Sequence, residues 1–213
     1  VTGIDADSED EVKHYAEGDV RIERIETAFQ GFFRIQRYRF RHTLFAGGWS
    51  GEIVRELFER GHAAAVMPYD PWLDRLVMIE QFRVGALHLD GGPWLKEFVA
   101  GMIEPGETSE GVVIREADEE AGCRIDRLEP ICDYLVSPGG TSEMISLYCG
   151  RTDSSGLGGL HGLAEENEDI RASVVSADEA FEMLSGGEFM AATPIIAVQW
   201  LQRHRDRLRR EWR

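Results

Sequence analysis

Glu116, Glu119 and Glu120 stand three and four residues apart in the run Arg115-Glu116-Ala117-Asp118-Glu119-Glu120. On an α-helix that spacing crowds three carboxylates onto one side. Each like-charge pair costs roughly 0.2–0.5 kcal/mol, and a hard divalent cation with oxygen ligands removes the cost. Mg²⁺ typically binds through one or two carboxylates plus substrate phosphates. A cation held there would neutralise phosphate oxygens and activate a water, the chemistry of metal-assisted hydrolysis. A second acidic run, Glu165-Glu166-Asn167-Glu168-Asp169, can supply a carboxylate to deprotonate that water. Glu166 and Glu168 are both candidates for this base. The competing account of either run is a solvated acidic surface. The flanks of the first run argue against it: Gly101 allows close backbone approach, and Pro105-Gly106-Glu107 makes a tight acidic turn just ahead.

The elements that must position these groups follow from local patterning. Thr108 to Ala121 reads as a helix, with Thr108 as N-cap, Glu110 at the positive end of the dipole and Gly122 as the stop. Val113 and Ala117 mark its inward face. Upstream, Val20 to about Phe58 is strand-like, with a turn at Phe45-Ala46-Gly47-Gly48; a sheet of that size buries its own face poorly. His62–Pro68 and Leu76–Glu80 suggest a hairpin, Gly85–Pro93 a loop, and Trp94–Ala100 a strand leading into the acidic helix. Ile131–Val136 and Met144–Gly150 are strands around a rigid turn, Ser137 to Glu143. Thr152–Gly162 is Gly/Ser-rich and reads as a mobile loop. A last strand, Ile170–Val175, precedes a short helix, Asp178–Leu184, and a long one, Ala192–Arg210, whose inward face is read as Ile196, Trp200 and Leu208. The six arginines from Arg203 to Arg213 read as a solvated helix end. Strands and helices mix without regular βαβ alternation. The fold class is therefore α+β, or an α/β/α sandwich with a mixed sheet, plus a small N-terminal antiparallel β subdomain. The division expected is residues 1–60 for that subdomain and 61–213 for the catalytic domain.

Composition bounds the function. The chain has 213 residues and a net charge of −16, which argues against nucleic-acid binding and against an anionic membrane surface. A phosphate substrate would be repelled as well, so bound metal and local arginines must offset the field. Cys123, Cys132 and Cys149 form no CxxC pair and read as reduced, buried thiols of a cytoplasmic protein. The acidic N-terminus lacks the apolar segment of a signal peptide, and no apolar run is long enough to span a bilayer.

The acidic helix and its flanks also carry a family resemblance. Gly101, five residues, Glu107, seven residues, Arg115-Glu116, an apolar residue, any residue, Glu119-Glu120, any residue and Gly122 reproduce the box of the Nudix hydrolases. With residue frequencies of roughly 7% or less, a chance match to these fixed positions is on the order of 10⁻⁸ per window. Ala117 is smaller than the usual aliphatic there. Further stretches resemble the bacterial ADP-ribose pyrophosphatases within that family: Gly31-Phe32-Phe33, Glu56 to Ala63, Glu80 to Arg83, Glu97 to Glu107, Ser137 to Glu143, Glu166 to Ile170 and Ala197 to Leu201. The likeness covers roughly residues 20 to 213.

The resemblance implies a Nudix α/β/α sandwich, active as a homodimer that exchanges its N-terminal sheet. The implied reaction is hydrolysis of ADP-ribose to AMP and ribose 5-phosphate with Mg²⁺, or Mn²⁺ in its place. Implied metal ligands are the backbone oxygen of Ala100 and the carboxylates of Glu116, Glu120 and Glu168. Glu166 is the implied general base, with Glu119 and Arg115 in the catalytic set, Arg115 as a support. Implied substrate contacts are Phe32 and Phe33 from the partner chain, Arg55, Glu56, Arg60, Arg83, Met102, Ser137, Pro138, Gly139 and Glu143. The rival substrates are other nucleoside-diphosphate sugars such as GDP-mannose. A non-catalytic module that binds ADP-ribose or NAD is a rival of another class, which the intact Glu116, Glu119 and Glu120 argue against.

Overall fold

The computed structural model describes residues 16–163 and 167–213. The chain divides into two compact units between Glu59 and Arg60.

The N-terminal unit is a three-stranded antiparallel sheet in the order β1 (Val20–Gln30), β2 (Arg34–His42), β3 (Ile53–Glu59). Cross-strand ion pairs lace its surface: Arg41 with Glu23 at 2.7 Å, Arg37 with Glu56 at 2.6 Å and Arg39 with Glu52 at 3.2 Å. None of its described residues is fully buried. Val20, Ile22, Ile25 and Phe29 of β1 all remain exposed; a bulge between Ile22 and Arg24 keeps the first three in phase, and a second between Thr27 and Phe29 turns Phe29 to the other face.

The larger unit holds a mixed eight-stranded sheet. Its main path runs β10 (Gly159–His161), β11 (Ile170–Ser176), β5 (Arg75–Phe82), β4 (Ala63–Asp70), β9 (Met144–Arg151), β8 (Arg127–Leu135). β4 and β9 are parallel and the other pairs antiparallel. Alternation along β4 sorts its side chains. Ala64 and Val66 face α1 (Ser109–Ala121), whose Val112, Val113 and Ala117 are fully buried. Ala65, Met67 and Tyr69 face α2 (Ala177–Ser185) and α3 (Ala192–Glu211). Helices therefore cover both faces, the α/β/α sandwich that the mixed pattern implied. Each fully buried valine of α1 contributes about 1.5–3 kcal/mol, so packing fixes the acidic helix in place.

The β4–β5 hairpin pairs only beside its turn, at Tyr69 with Leu76 and Asp70 with Arg75. Beyond that the strands part and a second pair fills the gap: β6 (Trp94–Glu97) on β5 and β7 (Val99–Met102) on β4. The single strand expected over Trp94–Ala100 is thus two, broken at the buried Phe98, because each half bonds a different neighbour. The break delivers Ala100 and Gly101 to the foot of α1.

Four local expectations are corrected. The Gly/Ser-rich span from Thr152 to Gly162 is not a free loop. Thr152 and Ser154 are buried, Ser154 donates N–H and O–H to Asp70, and β10 extends the sheet edge. The buried face of α3 is Pro194, Ala197, Val198, Leu201 and Leu208; Ile196 and Trp200 sit at its margin, only partly buried, because the stripe at helical spacing that meets the sheet is the one through Ala197 and Leu201. The arginine-rich end is packed: Trp212 is fully buried, Arg205 and Arg209 bind Asp74, and Arg207 binds Glu129. Cys123 and Cys149 are buried free thiols, but Cys132 is exposed, next to the bulge where β8 slips its register on β9.

Candidate active site

The acidic helix is built as its sequence specifies. Thr108 Oγ1 accepts the N–H of Gly111 at 3.1 Å, and Gly122 takes the left-handed conformation with φ 57°. Glu107 closes the preceding turn, its carboxylate accepting the N–H of Glu104 at 3.1 Å. Arg115 gathers three carboxylates: Glu116 at 2.9 Å, Glu119 at 3.0 Å and Glu107 at 3.4 Å. Its partners thus come from its own helix and the turn before it.

Two carboxylates turn inward. Glu120 is only 3% exposed, and its Oε2 accepts the N–H of Ala100 at 3.1 Å. Glu116 lies directly over Gly101: a Cβ built there would sit 2.0 Å from Glu116 Oε1. A side chain at 101 would force the Glu116 carboxylate out of this position. Burial pushes the Glu120 carboxyl up to about 8, helped by the charges of Glu116 and Glu168 and opposed by the Ala100 N–H and Arg83. Burial also raises Glu116, with Glu119 and Glu168 adding to it against Arg115. Glu168 thus belongs to the same electrostatic cluster. It is held by its own loop: its Oε2 accepts the N–H of Leu163 at 3.4 Å, and its N–H bonds the Leu163 carbonyl at 3.2 Å. Glu166 lies outside the described residues.

Around this cluster the larger unit sets the other predicted residues. Arg83, at the end of β5, donates to Glu97 at 2.9 Å. Arg60 pairs with the buried Glu143 at 3.4 Å. Met102 ends β7, 37% exposed. The carbonyl of Ser137 accepts the N–H groups of Gly140 and Thr141, which shapes an exposed turn at Ser137, Pro138 and Gly139. The remaining predicted contacts belong to the N-terminal unit. Phe32 is 89% exposed at the β1–β2 turn, Phe33 packs edge-on against Phe58, and Arg55 and Glu56 are exposed on β3, Glu56 paired with Arg37.

Sequence reasoning gave Glu97 no role, although it lies in a quoted stretch. Its hold on Arg83 depends on β5 and β6 pairing, which no local pattern reports.

Among the described residues no three His, Cys, Asp or Glu side chains form a ready-made metal cage. The donor set is nevertheless right for a hard cation, since it is made of carboxylate oxygens. Glu120, buried among like-charged neighbours with one hydrogen bond and Arg83 as its opposing charge, is a carboxylate that a divalent ion would stabilise.

A sheet between helices, with a capped glutamate-rich helix springing from a split hairpin, defines a class. Residues 59–192 match the NUDIX domain, and the chain belongs to the Nudix family, whose members generally use divalent metal ions. The chain is 50% identical over 198 residues to the ADP-ribose pyrophosphatase of Escherichia coli (strain K12), covering 93% of this chain and 95% of that protein. It is 41% identical over 206 residues to the ADP-ribose pyrophosphatase of Haemophilus influenzae, covering 95% of each. A GDP-mannose pyrophosphatase of Cronobacter sakazakii is 34% identical over 157 residues, covering 71% of this chain and 81% of that protein. In three dimensions the chain resembles a solved ADP compounds hydrolase, with a TM-score of 0.66 at 19% identity over 90% of this chain and 98% of that one, a likeness of fold.

Proposed function

We propose that this protein is a Mg²⁺-dependent ADP-ribose diphosphatase that releases AMP and ribose 5-phosphate. The observation that carries the reading is the cluster of Glu116, Glu120 and Glu168 at the split hairpin, in a chain half identical, almost end to end, to ADP-ribose pyrophosphatases. Glu116, Glu120, Glu168 and the backbone oxygen of Ala100 would hold the ion; Mn²⁺ would fit the same oxygen donors. When bound, the ion neutralises the pyrophosphate oxygens and acidifies a water.

The chain's own groups do the rest. Glu166 takes the proton from the attacking water, the pyrophosphate P–O bond breaks, and the departing phosphate leaves as one of the two monophosphate products. Arg115 ties Glu107, Glu116 and Glu119 together and so fixes the direction in which the helix presents its carboxylates. Arg83, steadied by Glu97, and Arg60, steadied by Glu143, are cations for the two phosphates. Met102 and the Ser137-Pro138-Gly139 turn border the sugar.

The protein acts as a homodimer in this reading. The exposed Val20, Ile22, Ile25 and Phe29 leave the small sheet with an uncovered apolar strand, which a second copy would bury. Phe32 and Phe33 would then stack on adenine of the partner's substrate, with Arg55 and Glu56 alongside. The three free thiols fit a reducing, cytoplasmic compartment.

The test is a substrate panel with Mg²⁺: ADP-ribose, GDP-mannose, ADP-glucose, NADH and diadenosine polyphosphates. ADP-ribose should give the highest kcat/KM. Preference for GDP-mannose would move the protein to the second reading, which the similarity to the Cronobacter enzyme motivates. Subunit mixing tests the exchange. A chain with both Phe32→Ala and Glu120→Gln, mixed with wild type, should give heterodimers whose kcat/KM falls well below half of wild type, because every crossed site carries one lesion. Heterodimers with half the wild-type activity would remove the exchange.

A further inference from the structure

Glu168 reaches the acidic helix from a different part of the chain, and the structure shows what brings it there. Gly162 follows β10 with φ 97°. Its N–H points to the carbonyl of Glu119 at 3.4 Å, in the last turn of α1. One residue earlier, the His161 ring lies over Gly122, 3.0 Å from where a Cβ would stand. On its other side Gly162 lies against Glu168. A Cβ on Gly162 would come within 2.8 Å of Glu168 Cβ, 3.0 Å of its carbonyl oxygen and 3.1 Å of its carbonyl carbon. Two of these three atoms are backbone, so the contact is not relieved by a rotamer change.

We infer that Gly162 is a positioning residue for Glu168: its bare Cα is the spacer that seats the Glu168 backbone against the end of α1. The reading rests on Glu168 being a metal ligand. Gly162 does not touch substrate or metal. It acts through the distance between the β10–β11 connection and the helix that carries Glu116 and Glu120.

Backbone strain alone would make any substitution at Gly162 costly, so the control must share the strain and lack the contact. Gly159 provides it, with φ 108° and no atom within 4 Å of its Cβ position. The experiment compares the full-length wild type, Gly159→Ala, Gly162→Ala and Glu168→Gln. Mn²⁺ binding is read by the loss of the free-ion EPR signal, thermal stability in EDTA, and Mg²⁺ dependence of ADP-ribose turnover.

Gly159→Ala should lose stability yet bind Mn²⁺ like wild type. Gly162→Ala should lose at least as much stability and also bind Mn²⁺ about 10–100-fold more weakly, the usual cost of disturbing a residue that orients a ligand. Glu168→Gln should weaken Mn²⁺ without loss of stability. Wild-type Mn²⁺ affinity in Gly162→Ala, or in Glu168→Gln, overturns the inference. If the wild type binds Mn²⁺ and the variants rank as stated, but ADP-ribose is not hydrolysed, the inference stands and the proposed substrate falls.

Discussion

Two carboxylates in the larger unit, the half-buried Asp74 and the buried Glu120 at opposite ends of β4, are treated in opposite ways. Asp74, in the turn after β4, has a surplus of donors. Arg205 Nε bonds both of its oxygens at 3.1 and 3.0 Å, Arg209 adds a bond at 3.0 Å, and the Tyr69 hydroxyl another at 2.7 Å. Burial alone would raise the Asp74 carboxyl, but the bonds from Arg205 and Tyr69 and the charges of Arg205 and Arg209 outweigh it and hold the group below its ordinary value. Glu120, beside the other end of β4, has one backbone donor and two like-charged neighbours, and is pushed up to about 8. The first carboxylate is completed by the fold and ties α3 to the sheet. The second has far fewer partners, with only the Ala100 N–H and the charge of Arg83 set against its burial. A buried charge whose pKa is depressed by protein partners marks structure; one raised by burial among its own kind marks a site.

The largest effect expected from breaking that contrast is at the Glu120 end. Glu120→Gln keeps an acceptor for the Ala100 N–H and removes a repelled charge. Turnover should fall by several orders of magnitude, while the melting temperature of the metal-free protein stays level or rises. Near-native turnover at saturating Mg²⁺ would show that Glu120 is not a ligand.

Next come the two glutamates of the second acidic run. Glu166→Gln should lower kcat by roughly 10²–10⁴-fold with KM little changed, the range for a lost general base. Glu168→Gln should shift the Mg²⁺ dependence instead. The reverse pattern exchanges their roles.

At the complete end the effect should be on stability alone. Asp74→Asn leaves Arg205 with Asp178, a pair at 2.7 Å, and strips Arg209 of its charge partner. With Arg205 about a quarter exposed, the loss should be about 1–3 kcal/mol in a urea titration, below the figure for a fully buried pair. The kcat/KM for ADP-ribose should be unchanged. A fall in kcat/KM as deep as that of Glu120→Gln would erase the distinction between the two ends.

The smallest and most discriminating effect is on pH. A carboxyl with a higher pKa in the fold than in the unfolded chain binds more protons when folded, so its contribution to stability is present at low pH and is lost as pH rises. For Glu120 the window runs from 4.5 to about 8. Across it the Tm of the metal-free wild type should decline relative to Glu120→Gln, and Mg²⁺ should raise the wild-type Tm by a growing margin. A margin independent of pH would mean that Glu120 is already ionised in the metal-free fold.

The acidic helix was legible residue by residue. Its cap, its stop, its inward Val113 and Ala117 and its glutamate spacing are local properties of a 3.6-residue repeat, and the chain builds them as written. The box that Gly101 begins was legible for the same reason. What the sequence could not state was what these glutamates would meet. Glu120, seven residues from Val113 and three from Ala117, shares the inward face in pattern; only the docking of α1 on β4 and β7 gives it the Ala100 N–H and places Glu116 over Gly101. The arginine-rich tail misled because cations near a helix end are favourable in solvent, and nothing local announces an Asp74 more than a hundred residues away. The Gly/Ser-rich span misled because its order comes from Asp70 and from the edge of β11, both distant in sequence. By itself the sequence determined the class of chemistry, since a ligand set on one helix is a short-range arrangement. Tertiary structure alone decided which charges are well paired and which are left with few partners, because burial and long-range pairing are properties of the packed sheet.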